Sequence, residues 1–165
     1  MKLDLRAVYE SEASGVFSFL GRFGLRGADL EDAVHDTFVT ALSRAGTYDE
    51  RRPLKPWLLG IAFRMGVARV RGAREVSAEV PEVADPAQDP HAALESRRAQ
   101  ALVQKALLEL PEEQATVFAL YDLQGVSANE IAESMGTPVK TTYSRLRLAR
   151  VAFADAVKRL EGGAR

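Results

Sequence analysis

The stretch VSANEIAESMGTPVKTTYSRLRLAR, residues 126–150, decides how the C-terminal part of the chain folds. Ser127 stands three residues before Glu130, which is the spacing of a capping box at the start of a helix. Gly136 is predicted to end that helix, because glycine tolerates a left-handed backbone. Thr137 then suits the cap of a second helix, and the proline after it suits the first turn. Two helices joined by a tight glycine turn predict a helix-turn-helix.

The second helix of this motif carries no acid between residues 137 and 150, although the chain as a whole has a net charge of −1. In a helix-turn-helix the second helix enters the major groove of DNA, where a carboxylate would face phosphates and weaken binding. We therefore predict DNA binding, against the alternative of an ordinary helical hairpin with a basic face. The predicted base-facing residues are Lys140, Thr141, Tyr143, Ser144 and Arg147, and the predicted phosphate contacts are Arg145 and Arg150. The predicted inward-facing residues are Val139, Thr142, Leu146, Ala149 and Val151.

Helical periodicity extends through most of the chain, whereas strand signals are scarce. Residues 75–93 differ, because they hold three prolines, several acids and few large apolar side chains. That composition is typical of an extended linker. We therefore predict an all-α fold with two small helical domains, residues 1–75 and 94–163. An acidic proline-containing linker, residues 76–93, joins them, and the second domain contains the helix-turn-helix.

A second basic segment, residues 44–74, carries 8 basic and 2 acidic residues and is interleaved with aromatic rings. Basic and aromatic groups together suit unpaired nucleic acid, because bases stack on rings while cations follow the phosphates. Charge runs are also typical of solvated helix faces, and Trp57 and Phe63 also suit the core. Tyr48 is the freer ring, in the loop before the helix. The predicted nucleic-acid contacts of this segment are Tyr48, Arg51, Arg52, Lys55, Arg64, Arg69 and Arg71.

The preceding helix begins DLEDAVHD, residues 29–36, and places four acids in its first half. The positive end of the helix dipole favours acids there, but about 0.3–1 kcal/mol per residue does not require four of them. Two interpretations therefore stay open. The acids serve the helix dipole and solubility, or they form a docking face for a basic partner.

The composition excludes several classes of protein. Without cysteine the chain has no disulfide, no thiol nucleophile and no cysteine-ligated zinc, and His35 and His91 are far apart in sequence. It also lacks a glycine-rich phosphate loop and a nucleophile with a neighbouring base, so we expect no enzyme, no cofactor and no metal. No apolar run approaches the roughly 18 residues of a membrane span. The N-terminus has acids where a signal peptide needs an apolar core. We expect a cytoplasmic protein without membrane insertion.

Three segments together resemble an extracytoplasmic-function sigma factor of bacterial RNA polymerase. They are DLEDAVHDTFVTAL (29–42), RPLKPWLLGIAFRMGVARVRG (52–72) and LPEEQATVFALYDLQGVSANEIAESMGTPVKTTYSRLRLAR (110–150). The resemblance covers nearly all of the chain except the linker. It implies that residues 1–75 are sigma region 2, which docks on the β′ clamp helices of the polymerase core. It implies that residues 94–163 are region 4, which reads the promoter −35 element and rests on the β flap.

The resemblance also implies roles for individual residues. The loop at about 46–55 and the helix after it would capture a flipped base of the −10 element and help to melt the duplex. Arg64 and Ala68 stand where sequences of this family often carry Asn and Asp. The segment matched to polymerase docking contains Asp29, Asp32, Asp36 and Phe38.

The implied partners are RNA polymerase core, promoter DNA and, as a family expectation, a separate anti-sigma factor. The alternative is a stand-alone helix-turn-helix regulator that does not bind core polymerase. That alternative leaves the acidic helix and the basic segment at residues 44–74 unexplained. Binding to purified core polymerase separates the two interpretations.

Overall fold

The computed structural model describes residues 3–75 and 89–163, and every regular element in these residues is helical. The predicted all-α class is confirmed. Most of the predicted linker lies outside the described residues. The α-helices of the described residues are α1 (Leu5–Arg22), α2 (Gly27–Arg44), α3 (Leu54–Glu75), α4 (Pro90–Glu109), α5 (Glu112–Phe118), α6 (Ala128–Met135) and α7 (Val139–Gly162).

The N-terminal helices, α1–α3, enclose a core of aromatic side chains. The ring of Phe63 on α3 lies 5.3 Å from the ring of Phe23 and 6.5 Å from that of Phe19, measured between centroids. All three side chains are buried. Gly66 allows this close approach, because a Cβ at that position would lie only 2.9 Å from a methyl carbon of Leu20. The apolar face of α1 thus packs directly on the backbone of α3.

The C-terminal helices, α4–α7, begin earlier than the sequence indicates. We expect helix from about residue 94, but α4 begins at Pro90. The carboxylate of Asp89 accepts a hydrogen bond from the backbone N–H of His91, and proline suits the first turn because it has no N–H to satisfy. Pro90 therefore starts the helix and does not extend the linker.

The centre of the C-terminal helices is built from leucine and isoleucine side chains of successive helices. The chain of α5 continues directly into a π-helical turn, Ala119–Leu123, and the backbone of Val126 then donates to the carbonyl of Leu120. Ile131 of α6 and Leu146 of α7 are buried in the same apolar cluster as Leu120 of this turn and Leu107 of α4. The predicted second domain thus has buried apolar side chains from α5, α6 and α7.

The N-terminal and C-terminal helices pack on each other, an arrangement called here the closed arrangement. α3 contacts α6 and the π-helical turn, and the buried apolar side chains of the two groups form one continuous cluster. Gln104 donates to the carbonyl of Phe23 at 3.1 Å, and Arg22 donates to the carbonyl of Leu123 at 3.3 Å. No helix in the described ranges is long and apolar enough to cross a membrane.

Candidate nucleic-acid interface

The helix-turn-helix predicted from the sequence is present in α6 and α7. The side chain of Ser127 accepts from the backbone N–H of Glu130 at 3.2 Å, and the Glu130 carboxylate accepts from the backbone N–H of Ser127 at 3.3 Å. Gly136 ends α6 with φ 66°, the left-handed conformation that glycine tolerates. The predicted capping box and glycine turn are therefore confirmed.

The start of α7 differs from the prediction. Pro138, not Thr137, occupies the cap position, and no side chain caps this helix. The carbonyl of Pro138 accepts from the backbone N–H groups of Thr141 and Thr142 at 3.0 and 3.4 Å. Thr137 lies one residue too early to cap, and its hydroxyl is buried with no hydrogen-bond partner in the described part of the chain.

The first turns of α7 present a polar, acid-free surface. Lys140, Tyr143, Ser144 and Arg147 are exposed, and Thr141 is half-buried. This surface, called here the reading face, consists of the five residues that the sequence predicts to face bases. They recur at three- and four-residue steps, which places them on one side of the helix.

The opposite side of α7 is only partly as predicted. Thr142, Leu146 and Ala149 are buried, as expected. Val139 and Val151, which we expect to face inward, are 39% and 57% exposed. Val139 is the first residue of α7. The buried side of the helix includes Leu146 and Ala149 but does not extend to Val151. Helical spacing alone therefore assigned too wide a buried face.

The two predicted phosphate contacts lie in different surroundings. Arg150 makes a bidentate ion pair with Asp122, with nitrogen–oxygen distances of 3.0 and 2.8 Å, and this bond raises the pKa of its guanidinium. Arg145 pairs with Glu113 at 3.1 Å, and only 23% of its side chain is exposed. Arg150 thus remains at the edge of the reading face, whereas Arg145 points toward α5.

The capping box provides a test of the local stability of the motif. Ser127→Ala is expected to lower the free energy of unfolding by about 1 kcal/mol, because the N–H of Glu130 loses its acceptor. Chemical denaturation followed by circular dichroism measures this change. Ser144→Ala, an exposed serine within α7, is the matched control and is expected to change stability by less than about 0.5 kcal/mol. Equal effects of the two substitutions would contradict the assigned cap.

The loop before α3 is more ordered than the sequence indicates. The ring of Tyr48 lies 4.5 Å from that of Trp57, and its hydroxyl donates to the carbonyl of Arg52 at 2.5 Å. Tyr48, predicted to be the freer of the two rings, is thus in contact with Trp57 and only half-exposed. Asp49 accepts two hydrogen bonds from the side chain of Arg51, and mainly for that reason the pKa of Asp49 is held at about 2. Lys55 is exposed just beyond this loop.

The three predicted arginine contacts on α3 all touch other parts of the protein. Arg64 pairs with Glu112 of α5 at 2.8 Å, and Arg71 donates to the carbonyl of Leu108 at 3.3 Å. Arg69 instead faces α2, as described next. Sequence reasoning missed these partners, because Glu112 is 48 positions from Arg64. In addition, an acid in the first turn of a helix is already explained by the helix dipole.

Arg69 connects two of the predicted sites. Its guanidinium lies 3.3 Å from the carboxylate of Asp32 and 3.0 Å from that of Asp36, and the bond to Asp36 raises its pKa. Asp32 and Asp36 are predicted docking residues, whereas Arg69 is a predicted contact to DNA. Asp29 lies exposed in the first turn of α2.

An apolar patch adjoins the acidic side of α2. Phe38, the fourth predicted docking residue, is half-buried, and its ring meets that of Tyr9 edge to face at 4.8 Å. Val39 and Leu42 lie beside it and are 51% and 60% exposed. Leu42 follows Val34 and Phe38 at four-residue steps, a spacing that predicts a buried position, but its side chain is exposed.

Comparison with known proteins identifies both halves of the fold. Residues 8–75 match the family described as sigma-70 region 2, and residues 100–153 match sigma-70 region 4. The sigma factor SigM of Mycobacterium tuberculosis is 30% identical over 135 residues, which cover 82% of this chain and 67% of SigM. SigW of Bacillus subtilis is 25% identical over 144 residues, which cover 80% of this chain and 77% of SigW.

Two solved structures share the fold. CnrH, solved in complex with the cytosolic domain of CnrY, aligns over 94% of this chain and 88% of its own, with a TM-score of 0.56 and 24% identity. The sigma factor RpoE of Bartonella quintana, solved with the anti-sigma factor NepR, aligns over 94% of this chain and 97% of its own. Its TM-score is 0.54 and its identity is 21%.

Regions 2 and 4 in one all-helical chain define a transcription initiation factor of the sigma-70 type. Within that class the chain belongs to the extracytoplasmic-function sigma factors, the group named in the description of SigM. It directs RNA polymerase to promoters. The resemblance inferred from the sequence is thus confirmed, and the stand-alone regulator is not favoured.

Proposed function

We propose that this sigma factor divides promoter recognition between residues 1–75 and residues 94–163, joined by the predicted linker at 76–93, whose last four residues begin α4. The C-terminal unit reads the −35 element with the reading face of α7. The exposed, acid-free reading face carries this proposal. Lys140, Tyr143 and Arg147 are exposed on this face, and they would meet base edges in the major groove as the second helix of a helix-turn-helix does. Arg145 and Arg150 contact the flanking phosphates.

The N-terminal unit binds and opens the −10 element. The loop with Tyr48, Arg51 and Arg52 leads into α3, whose first turn carries Lys55, so a displaced strand can run from the loop along the helix. In the closed arrangement Arg64 is held by a carboxylate whose side chain is 67% exposed. Exposed ion pairs contribute about 0–1 kcal/mol. DNA phosphates can therefore replace that carboxylate at small cost. Arg71 has no carboxylate to displace, because it donates to a backbone carbonyl.

Docking on the polymerase uses the acidic side of α2. Asp29, Asp32 and Asp36 supply negative charge, and Phe38 supplies an apolar contact beside them. Charged residues at the rim of an interface steer the partner toward it, and apolar residues at its centre stabilise the complex. This combination therefore suits binding to the β′ clamp helices. Residues 94–163 would contact the β flap. An anti-sigma factor is a further proposed partner, since RpoE of Bartonella quintana was solved with one.

The protein is proposed to act by binding alone, without catalytic residues, cofactor or metal. Its place of action is that of its polymerase, the cytoplasm. The proposal is tested by adding the purified protein to core polymerase and a library of promoter fragments, and sequencing the transcripts. Promoter-dependent transcripts are expected only when both components are present. Failure to bind core would favour the stand-alone regulator.

Reversing one charge on α2 tests the docking face. Asp32→Lys is expected to weaken core binding about tenfold, or about 1.4 kcal/mol, because a cation would then face a basic partner. Fluorescence anisotropy of the labelled protein with core polymerase measures this. Glu31→Lys is the matched control, since it makes the same charge change one residue away, on another side of the helix. Equal losses for both would show that net charge, not this face, controls docking.

A further inference from the structure

A cleft of about 330 Å³ lies between the N-terminal and C-terminal helices. One wall comes from the end of α2, the loop after it and the first turns of α3. The other wall comes from α5, the turn between α6 and α7, and Arg145 of α7. Neither group of helices forms the cleft alone, so it exists only in the closed arrangement.

The walls of this cleft are strongly basic. Four arginines reach it, of which Arg44 and Arg52 come from α2 and the loop, Arg64 from α3 and Arg145 from α7. Glu113 is the one carboxylate among the residues that line it. Like charges that converge on a partly enclosed volume repel one another, and they attract an anion that can neutralise them.

The carboxylates near these arginines are weak competitors for them. Glu113, the partner of Arg145, and Glu112, the partner of Arg64 at 2.8 Å, have side chains that are 70% and 67% exposed. Arg52 lies 3.8 Å from Asp49, whose two oxygens already accept hydrogen bonds from Arg51. A phosphate group accepts paired hydrogen bonds from a guanidinium and carries more charge than a carboxylate. It would therefore take these arginines from their present partners.

The cleft also holds a hydroxyl group that lacks a partner. The Oγ1 atom of Thr137 is buried and makes no hydrogen bond within the described residues, although Thr137 lines the cleft. Ser134 lines the same wall. A buried hydroxyl without a partner costs about 1–3 kcal/mol. Rotation of the Thr137 side chain toward the cleft would let an acceptor oxygen there remove that cost.

We propose that this cleft is a binding site for a small polyphosphate anion, either inorganic or as the phosphate chain of a nucleotide. Guanidinium groups of Arg44, Arg52, Arg64 and Arg145 bind its oxygens, and the hydroxyl of Thr137 donates to one of them. Arg52, Arg64 and Arg145 are also proposed promoter contacts, whereas Arg44 and Thr137 are not, and the site is tested without DNA. Because both groups of helices supply ligands, the anion binds the closed arrangement in preference to a separated one and shifts the population toward it.

Binding is tested on the full chain by isothermal titration calorimetry with pyrophosphate and with ADP, each without divalent metal. Both are expected to bind saturably, and adenosine is expected not to bind. Tighter binding of ADP would identify a nucleotide ligand, and equal binding would identify the phosphates alone as the recognised group. No saturable binding of either probe would overturn the proposal.

Variants locate the site. Arg44→Ala is expected to weaken pyrophosphate binding at least tenfold, and Thr137→Val, which preserves side-chain shape, at least threefold. Arg6→Ala removes an exposed arginine from α1 and is expected to leave binding unchanged. Losses as large in Arg6→Ala as in Arg44→Ala would show non-specific attraction and refute the site. Circular dichroism verifies that each variant is folded.

The effect of anion binding on the closed arrangement is measured separately. The chain has no cysteine, so Ser14→Cys and Lys158→Cys provide two unique, exposed labelling sites on α1 and α7 for resonance energy transfer. Pyrophosphate is expected to raise the fraction of molecules with the transfer efficiency of the closed arrangement. A fall in that fraction on saturation with pyrophosphate would refute the assignment of the site to the closed cleft.

Discussion

Arg147→Ala is expected to weaken binding to the cognate −35 duplex by about ten- to a hundredfold. A long donor on the reading face that pairs with a base edge contributes about 1–3 kcal/mol to discrimination. The cognate duplex is obtained by selecting from a random-sequence pool with the purified protein, so no promoter has to be assumed. Fluorescence anisotropy with the selected duplex and with a scrambled duplex then measures the loss. The loss is expected mainly on the selected sequence.

Arg150→Ala is the comparison, because Arg150 lies one turn further along α7 and is held by Asp122. Removing Arg150 takes away a phosphate contact and leaves the carboxylate of Asp122 close to the DNA. Binding is therefore expected to weaken on every sequence alike, with a salt dependence shallower by about one ion. Equal losses for Arg147→Ala and Arg150→Ala on both duplexes would refute this division between base and phosphate contacts.

Phe63→Ala is expected to lower the free energy of unfolding by about 3–5 kcal/mol, the range for deleting a large aromatic ring from a core. Phe63 is 1% exposed and touches the rings of Phe19 and Phe23. It also reaches the boundary with α4, near Leu107 and Leu110. The loss is therefore expected to affect both groups of helices in one unfolding transition, measured by chemical denaturation.

Phe17→Ala is the matched control, since Phe17 lies on α1 near Phe19 but is 49% exposed. Its removal is expected to change the free energy of unfolding by less than about 0.5 kcal/mol. A loss below about 1 kcal/mol for Phe63→Ala would contradict the packing of α1 on α3. Two separate transitions in the wild-type chain would show that its two groups of helices unfold independently.

Local patterns predicted the motif but not all of its details. The capping box of Ser127 and Glu130 and the turn at Gly136 depend on residues close together in sequence, so their spacing was sufficient. The cap of α7 was assigned one residue too early, because Thr137 has a capping side chain and Pro138 does not. In the fold, however, the carbonyl of Pro138 takes that place. Residue propensity identified the start of α7. It did not identify the group that accepts hydrogen bonds from the first backbone N–H groups of that helix.

Contacts between distant parts of the chain were not predictable in this way. The basic character of α3 is visible in the sequence, but its partners are not, because Glu112 and Asp36 belong to other helices. Tyr48 appeared free for the same reason, since its contact with Trp57 depends on how the loop returns to α3. Charge patterning therefore identified the candidate surfaces. Only the fold shows that charged side chains of these surfaces pair within the protein.

The ion pairs of Arg69 with Asp32 and Asp36 make the two proposed tasks of the N-terminal unit interdependent. Polymerase would bind the carboxylates, and promoter DNA would bind the guanidinium. Before docking, the two carboxylates compete with DNA phosphates for Arg69. If basic groups of the polymerase take up the carboxylates, as proposed, the guanidinium would be released for phosphate. Arg69 would then contribute to melting mainly after the protein has bound the polymerase.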